Sequence, residues 1–225
     1  MLPSLGRRQV AVRVNGTDTE WFKHDVEAFS GLHRPHALLL AKAERTEQLD
    51  LVRSIIGVGP AIWSMIETPR GVLNAAALAA KSSVLVMGTV DLANELGCST
   101  DAALARQPLM GALQHVLLAS KGEGVQAIDG VYIHLNDDAG LENECAQGAA
   151  LGFDGKSLIH PKTVAAANRA FSPSQEALDR ARRVIKAYEA AGTGVVVLDG
   201  RLVEALHVRR AFALLDTARR VDGDP

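Results

Sequence analysis

Short apolar runs alternate along this chain with longer stretches whose apolar residues recur at helical spacing. The runs are Gln9–Val14, Ala37–Ala41, Ala61–Ile66, Val84–Met87, Gly130–Leu135 and Gly152–Ile159, the last interrupted by two glycines and a lysine. Their length is that of strands buried on both faces. Between them lie the helical stretches Trp21–Phe29, Glu44–Ile56, Pro69–Ala80, Pro108–Lys121, Glu142–Ala150 and Pro161–Ala170. This βα alternation predicts a parallel sheet. Six such units fit an open doubly wound sheet or most of a (β/α)8 barrel.

Cap chemistry marks several boundaries. Thr68-Pro69 offers an N-cap followed by proline at the first helical position. Ser172-Pro173-Ser174-Gln175 reads as a capping box opening a helix with Leu178, Val184, Ile185 and Tyr188 near helical spacing, which Gly192 stops. Val195–Val203 reads as a hairpin turning at Asp199-Gly200, and a last helix follows with Leu206, Phe212 and Leu215 on its apolar side. Residues 1–171 therefore form the βα domain. Residues 172–225 form a helix–hairpin–helix appendage outside that rhythm.

Composition narrows the class. The chain has 225 residues, 48% hydrophobic and 22% charged, as in a globular protein with a sizeable core. A net charge of -2 leaves no field for a polyanion, so nucleic acid is not an expected partner. No apolar stretch is long enough to span a bilayer, and residues 1–8 have no hydrophobic signal core. Cys98 and Cys145 lack metal-ligand spacing and suit a reducing cytosol, so a cytoplasmic location is expected.

In parallel α/β folds, functional groups gather where strands end. Arg13, Lys42, Glu67, Asp91, His134 and His160 occupy such positions. Glu67 and Asp91 follow consecutive strands. Adjacent strands lie about 4.8 Å apart, so the two carboxylates can share a hard cation. Helix capping is the alternative role for both. Gly88-Thr89-Val90, just before Asp91, can offer main-chain N–H groups to an anionic substrate. Alternation places Arg13 on the face of Ala11, taken as the interior; a buried arginine there needs an anion, either a substrate or a structural partner, and the alternative is a chain-terminal strand whose arginine is exposed. Lys42 either meets a phosphate or is solvated. His134 and His160 are substrate candidates, or satisfied rim residues. Arg180, Arg182 and Arg183 read as a solvated helix face. No P-loop, dinucleotide fingerprint or nucleophile elbow is present.

Four segments in order resemble one family: Val12-Arg13-Val14-Asn15-Gly16, Met65–Gly71, Met87–Ala93 and Gly152–Pro161, with Phe171–Ser174 and Asp199–Ala205 after them. They resemble the citrate lyase beta-subunit-like proteins, which include the malyl-CoA and citramalyl-CoA lyases. The resemblance implies a (β/α)8 barrel and Mg²⁺-dependent cleavage or formation of a carbon–carbon bond in a 3-hydroxyacyl-CoA, giving an acyl-CoA and a 2-oxo acid. It implies that Glu67 and Asp91 are metal ligands, and that Arg13 contacts substrate and the developing enolate. It further implies that Glu204, the best candidate for the base, swings over the active site of a neighbouring subunit in a homotrimer or hexamer.

Three departures accompany the resemblance. Two further βα units, with residues that contact CoA, precede the third strand in the family, so an N-terminally incomplete barrel of about six units is expected. Glu204 stands where better-known members have aspartate, and Ala41 where a proline is common. Two other functions remain open: thioester hydrolysis of malyl-CoA with the same metal, and a degenerate, non-catalytic binding subunit.

Overall fold

The computed structural model describes residues 9–31, 34–99, 106–192 and 194–222. The chain divides into two compact units, Met1–Ala167 and Asn168–Pro225.

In the first unit, β1 (Ala11–Val14) leads through α1 (Phe22–Glu27) to β2 (Ala37–Leu40), and α2 (Thr46–Ile56) leads to β3 (Ala61–Ile66). After β3 come α3 (Pro69–Leu73), α4 (Ala75–Ala79) and β4 (Val84–Met87). Then follow α5 (Thr89–Leu96), α6 (Met110–Glu123), β5 (Gln126–Asp129), α7 (Asp138–Leu151) and β6 (Gly155–Lys156), and the boundary between the units falls within α8 (Val164–Phe171). All six strands are parallel, and each pairs only with its neighbours in sequence. A doubly wound sheet reverses its order at a switch point; this one does not, and its order is that of a βα barrel.

The two faces of the sheet differ. One register row joins Val14, Leu40, Ser64, Leu85 and Ala127. All five are at most 1% exposed, and the Ser64 hydroxyl is satisfied at 2.7 Å by Ser82. The next row on the opposite face joins Arg13, Leu39, Trp63, Val84 and Gln126. Arg13 and Gln126 are exposed there, and Leu39 and Trp63 are half-buried. Arg13 is therefore not a buried arginine: its face of the sheet is open.

Several sequence expectations move. The fifth strand is Gln126–Asp129, and Val131–Leu135 is a loop despite its alternating pattern. Asp129 hides the strand because a fully buried carboxylate at its end reads as loop chemistry. The sixth strand shrinks to Gly155–Lys156, since Gly152, in the left-handed region with φ 108°, ends α7. The expected helix Pro69–Ala80 breaks at Asn74, whose side-chain amide donates to the Glu44 carbonyl at 2.7 Å. Thr68 caps α3 as expected, its hydroxyl accepting from the Gly71 N–H at 3.0 Å.

The second unit contains α9 (Gln175–Ala191), the antiparallel hairpin β7 (Val195–Leu198) and β8 (Arg201–Glu204), and α10 (Ala205–Asp222). Ser174 caps α9, not Ser172, and accepts from the Ala177 N–H at 3.2 Å. Asp199 and Gly200 have φ of 51° and 72°, the signs of a type I′ turn. Ala181, Val184, Val203, Val208 and Ala211 form its core. The apolar side of α10 thus runs through Val208, Ala211 and Leu215. Leu206 and Phe212 face outward instead, each 52% exposed, and Val195, Val197 and Leu202 of the hairpin are exposed with them.

Candidate active site

Glu67 follows Trp63 and Met65 at the two-residue step of β3, which carries it toward the face of Arg13. It is a buried carboxylate, 5% exposed. Its Oε1 accepts the Lys42 main-chain N–H at 2.8 Å. On the other side it lies against Gly88. A Cβ placed there would stand 2.3 Å from Glu67 Cβ and 2.7 Å from its Oε2. Gly88 is needed for this approach, not for a special φ, since its φ is −105°. Gly88→Ala therefore forces the Glu67 side chain out of place. Its thermal midpoint should fall by the equivalent of about 1–3 kcal/mol, as in other overpacked sites. A melting curve at wild-type value refutes the close contact.

Burial pushes the Glu67 carboxyl above its usual range, and the negative charge of Asp91 pushes it further. The Lys42 N–H and the charges of Arg13 and Lys42 act the other way. Arg13, Lys42, Glu67 and Asp91 are thus one electrostatic group at the ends of β1 to β4. Asp91 sits exposed in the first turn of α5. The Arg13 guanidinium makes no hydrogen bond or ion pair among the described residues and is free for an anion. Lys42 reaches only an exposed contact with Glu95 at 3.7 Å, a pair worth little in water.

Glu67 is a buried carboxylate whose carboxyl is also raised by the negative charge of Asp91, so a cation near both would offset that cost. Among the described residues no cluster of three or more His, Cys, Asp or Glu can hold a metal. A two-carboxylate site leaves the remaining positions to water and substrate oxygens, as Mg²⁺ requires.

The other expected site residues lie elsewhere. Thr89, Val90 and His134 line a cavity of about 260 Å³ together with Tyr132, Arg106 and Glu144; Arg13, Lys42, Glu67 and Asp91 do not line it. The Thr89 side chain packs against Gly130. Burial pushes the Tyr132 hydroxyl up to about 12, helped by its 2.5 Å bond to Asp137. His160 caps a turn, its Nδ1 accepting from the Lys162 N–H at 3.1 Å. Glu204 lies in the second unit; its N–H donates to His207 Nδ1 at 3.0 Å, and its carboxylate makes no bond or ion pair among the described residues.

An ionic cluster absent from the sequence reading lies on the helix side of the sheet. Asp129 and Lys156, both with fully buried side chains, pair at 3.2 Å. Arg106 bonds the other Asp129 oxygen, and Lys156 reaches Glu144 at 2.6 Å and the Gly130 carbonyl at 2.7 Å. Two cations balance two anions. Lys156 was the available signal: an ammonium inside an otherwise apolar run must find buried carboxylates.

The parallel sheet runs in the strand order of a βα barrel, and the chain belongs to the HpcH/HpaI aldolase/citrate lyase family, which matches residues 4–161. A (3S)-malyl-CoA thioesterase of Cereibacter sphaeroides is 44% identical over 222 residues, covering 96% of this chain and 76% of that protein. The citrate lyase subunit beta of Escherichia coli is 33% identical over 225 residues, covering 93% and 74%. Among solved structures, the CitE protein of Mycobacterium tuberculosis, crystallised with magnesium, acetoacetate and coenzyme A, is 30% identical with a TM-score of 0.80, covering 92% and 77%. No helix among the described residues is long and apolar enough to cross a membrane.

Proposed function

We propose that this chain acts on a short 3-hydroxyacyl-CoA of the malyl type, with Mg²⁺ held by Glu67 and Asp91. The placement of these two carboxylates past β3 and β4 carries the reading: Glu67 is buried, which raises its carboxyl, and the charge of Asp91 raises it further. The resemblance of the segments around Glu67, Asp91 and Arg13 to the family's motifs implies the same roles for these residues. When bound, the cation polarises substrate oxygens as a Lewis acid and orients them.

The residues have separable tasks. Glu67 and Asp91 supply the negative charge that would hold the ion. The free Arg13 guanidinium, on the same face, stabilises negative charge developing on the thioester oxygen. Glu204 of a neighbouring copy takes a proton. The exposed apolar surface of Val195, Val197, Leu202, Leu206 and Phe212 supports an appendage that docks on another subunit.

Hydrolysis is the reaction favoured by the relatives at 42–44% identity, which are named thioesterases. Water adds its oxygen to the thioester carbon, the C–S bond breaks, and the thiol leaves with a proton. Carbon–carbon cleavage is the second reading, supported by the citrate lyase beta relatives. There the hydroxyl proton leaves, the bond between the hydroxyl carbon and the α-carbon breaks, and the enolate is reprotonated on carbon. Mass analysis of products from (3S)-malyl-CoA separates them: malate and free CoA mark hydrolysis, glyoxylate and acetyl-CoA mark cleavage. No turnover of malyl-, methylmalyl- or citramalyl-CoA with Mg²⁺ favours a non-catalytic subunit.

The trans role of Glu204 has its own test. Glu204→Ala and Arg13→Ala chains should each lose at least about 100-fold in rate, of the order of one transition-state contact. Mixed oligomers of the two should recover part of the activity, because some sites then hold both intact residues. No recovery after confirmed subunit exchange contradicts it.

A further inference from the structure

Lys42 is one of two non-glycine residues with positive φ among the described residues, at 49°; the other, Asp199, is explained by its hairpin turn. Lys42 sits with Ala41 in the turn that leaves β2, where glycine is the residue that adopts positive φ without strain. A lysine in the left-handed region is strained, and such strain persists only where the surroundings impose it. What the conformation achieves is visible: it accompanies a main-chain N–H that donates to Glu67 Oε1 at 2.8 Å. The neighbouring chain is anchored on both sides. The Ala41 N–H donates to Val14 O and the Ala43 N–H to Met65 O, each at 3.1 Å. Lys42 alone between them is turned, and its N–H goes to a side chain instead of the sheet. Gly88 closes the opposite flank of the same carboxylate. The Lys42 ammonium makes no bond to Glu67: the side chain is 48% exposed, its ion pair with Glu95 is long, and only its charge reaches the carboxylate.

We propose that Lys42 is a positioning residue that acts through its backbone. Its left-handed N–H and the close approach of Gly88 clamp the Glu67 carboxylate in the orientation that receives the cation. The proposal rests on the metal reading given above. It differs from the sequence expectation that the Lys42 ammonium meets a substrate phosphate, because the group that holds Glu67 is the main-chain N–H.

The test measures Mn²⁺ binding by electron paramagnetic resonance, with no substrate present, on the wild-type chain and on Glu67→Gln, Lys42→Gly, Lys42→Ala and Lys42→Val, each with a melting curve. Glycine adopts positive φ freely, alanine keeps the wild-type preference without the ammonium, and valine resists positive φ. Lys42→Gly and Lys42→Ala should bind within about threefold of wild type, and Lys42→Gly should melt no lower. Lys42→Val should weaken binding by about 10–100-fold, the usual effect of losing a group that orients a ligand. Loss of binding in Lys42→Ala overturns the proposal by assigning the effect to the side chain. Wild-type binding in a folded Lys42→Val overturns it by showing the N–H to be unnecessary. Should Lys42→Val not fold, Lys42→Ala decides: retained binding supports the proposal and loss refutes it. If the wild type binds no Mn²⁺, or Glu67→Gln binds as well as wild type, the metal reading itself fails and takes the proposal with it.

Discussion

Replacing Glu67 by glutamine should raise the melting temperature of the metal-free protein and remove its response to Mg²⁺. Glutamine keeps the shape and an oxygen for the Lys42 N–H, so only charge is lost. The folded protein holds the Glu67 carboxyl above 4.5, burial being the main cause and Asp91 the next. An acid whose folded value is raised opposes folding wherever the unfolded chain ionises it. The penalty is full above the raised folded value. It is withdrawn as pH falls through the raised folded value toward the ordinary one. The advantage of Glu67→Gln over wild type should therefore be largest near pH 7 and shrink on acidification. Saturating Mg²⁺ reverses the order, since a ligand at 100 times its dissociation constant stabilises the wild type by about 2.7 kcal/mol and the variant hardly at all. Turnover should fall at least about 100-fold, in the range of losing one preorganised electrostatic group. Melting curves at several pH values, with and without Mg²⁺, check each part. A Glu67→Gln protein less stable than wild type without metal contradicts the account.

Lys156→Met should be the most destabilising of the changes considered, at about 3–5 kcal/mol in urea unfolding, because it strands buried carboxylates. Asp129 and Glu144 would then face only Arg106, which already pairs with both. Removing one charge of each sign restores balance. Lys156→Met combined with Glu144→Leu should therefore cost less than the sum of the single changes, by about 1–3 kcal/mol. The same single change leaves Glu67 and Asp91 untouched, so Mg²⁺ affinity should persist in the folded fraction. Additive effects of the two substitutions would show that the cluster is not one network.

The candidate site was more legible in the chain than the structural charges were. β3 and β4 read directly from their apolar runs, and the carboxylates just past them announce themselves by position. Alternation puts Arg13 on one face with Ala11, but pattern alone does not tell which face is covered, and Arg13 is exposed. Lys156 and Asp129 went unread for a common reason. Their charges are paired across distant parts of the chain, 27 positions apart, and each alone looks like an interruption of a strand. Val131–Leu135 misled in the opposite sense. Its alternation is that of a strand, yet the pairing of β5 with β4 joins Gln126–Ile128 to Val84–Val86, placing the strand before Gly130. His160 illustrates local chemistry: its imidazole accepts an N–H two residues on, a contact no pattern of strand ends reveals. The left-handed backbone of Lys42 was equally invisible, since nothing in a lysine code predicts positive φ.

The central claim is that Glu67 and Asp91 together hold one divalent cation. Titration calorimetry of Mg²⁺ into the wild-type chain, Glu67→Gln and Asp91→Asn tests it without any assumption about substrate. One site per chain in the wild type, weakened at least about tenfold in each variant (1.4 kcal/mol), is the result expected. Mg²⁺ binding of unchanged affinity and stoichiometry in both variants would contradict it.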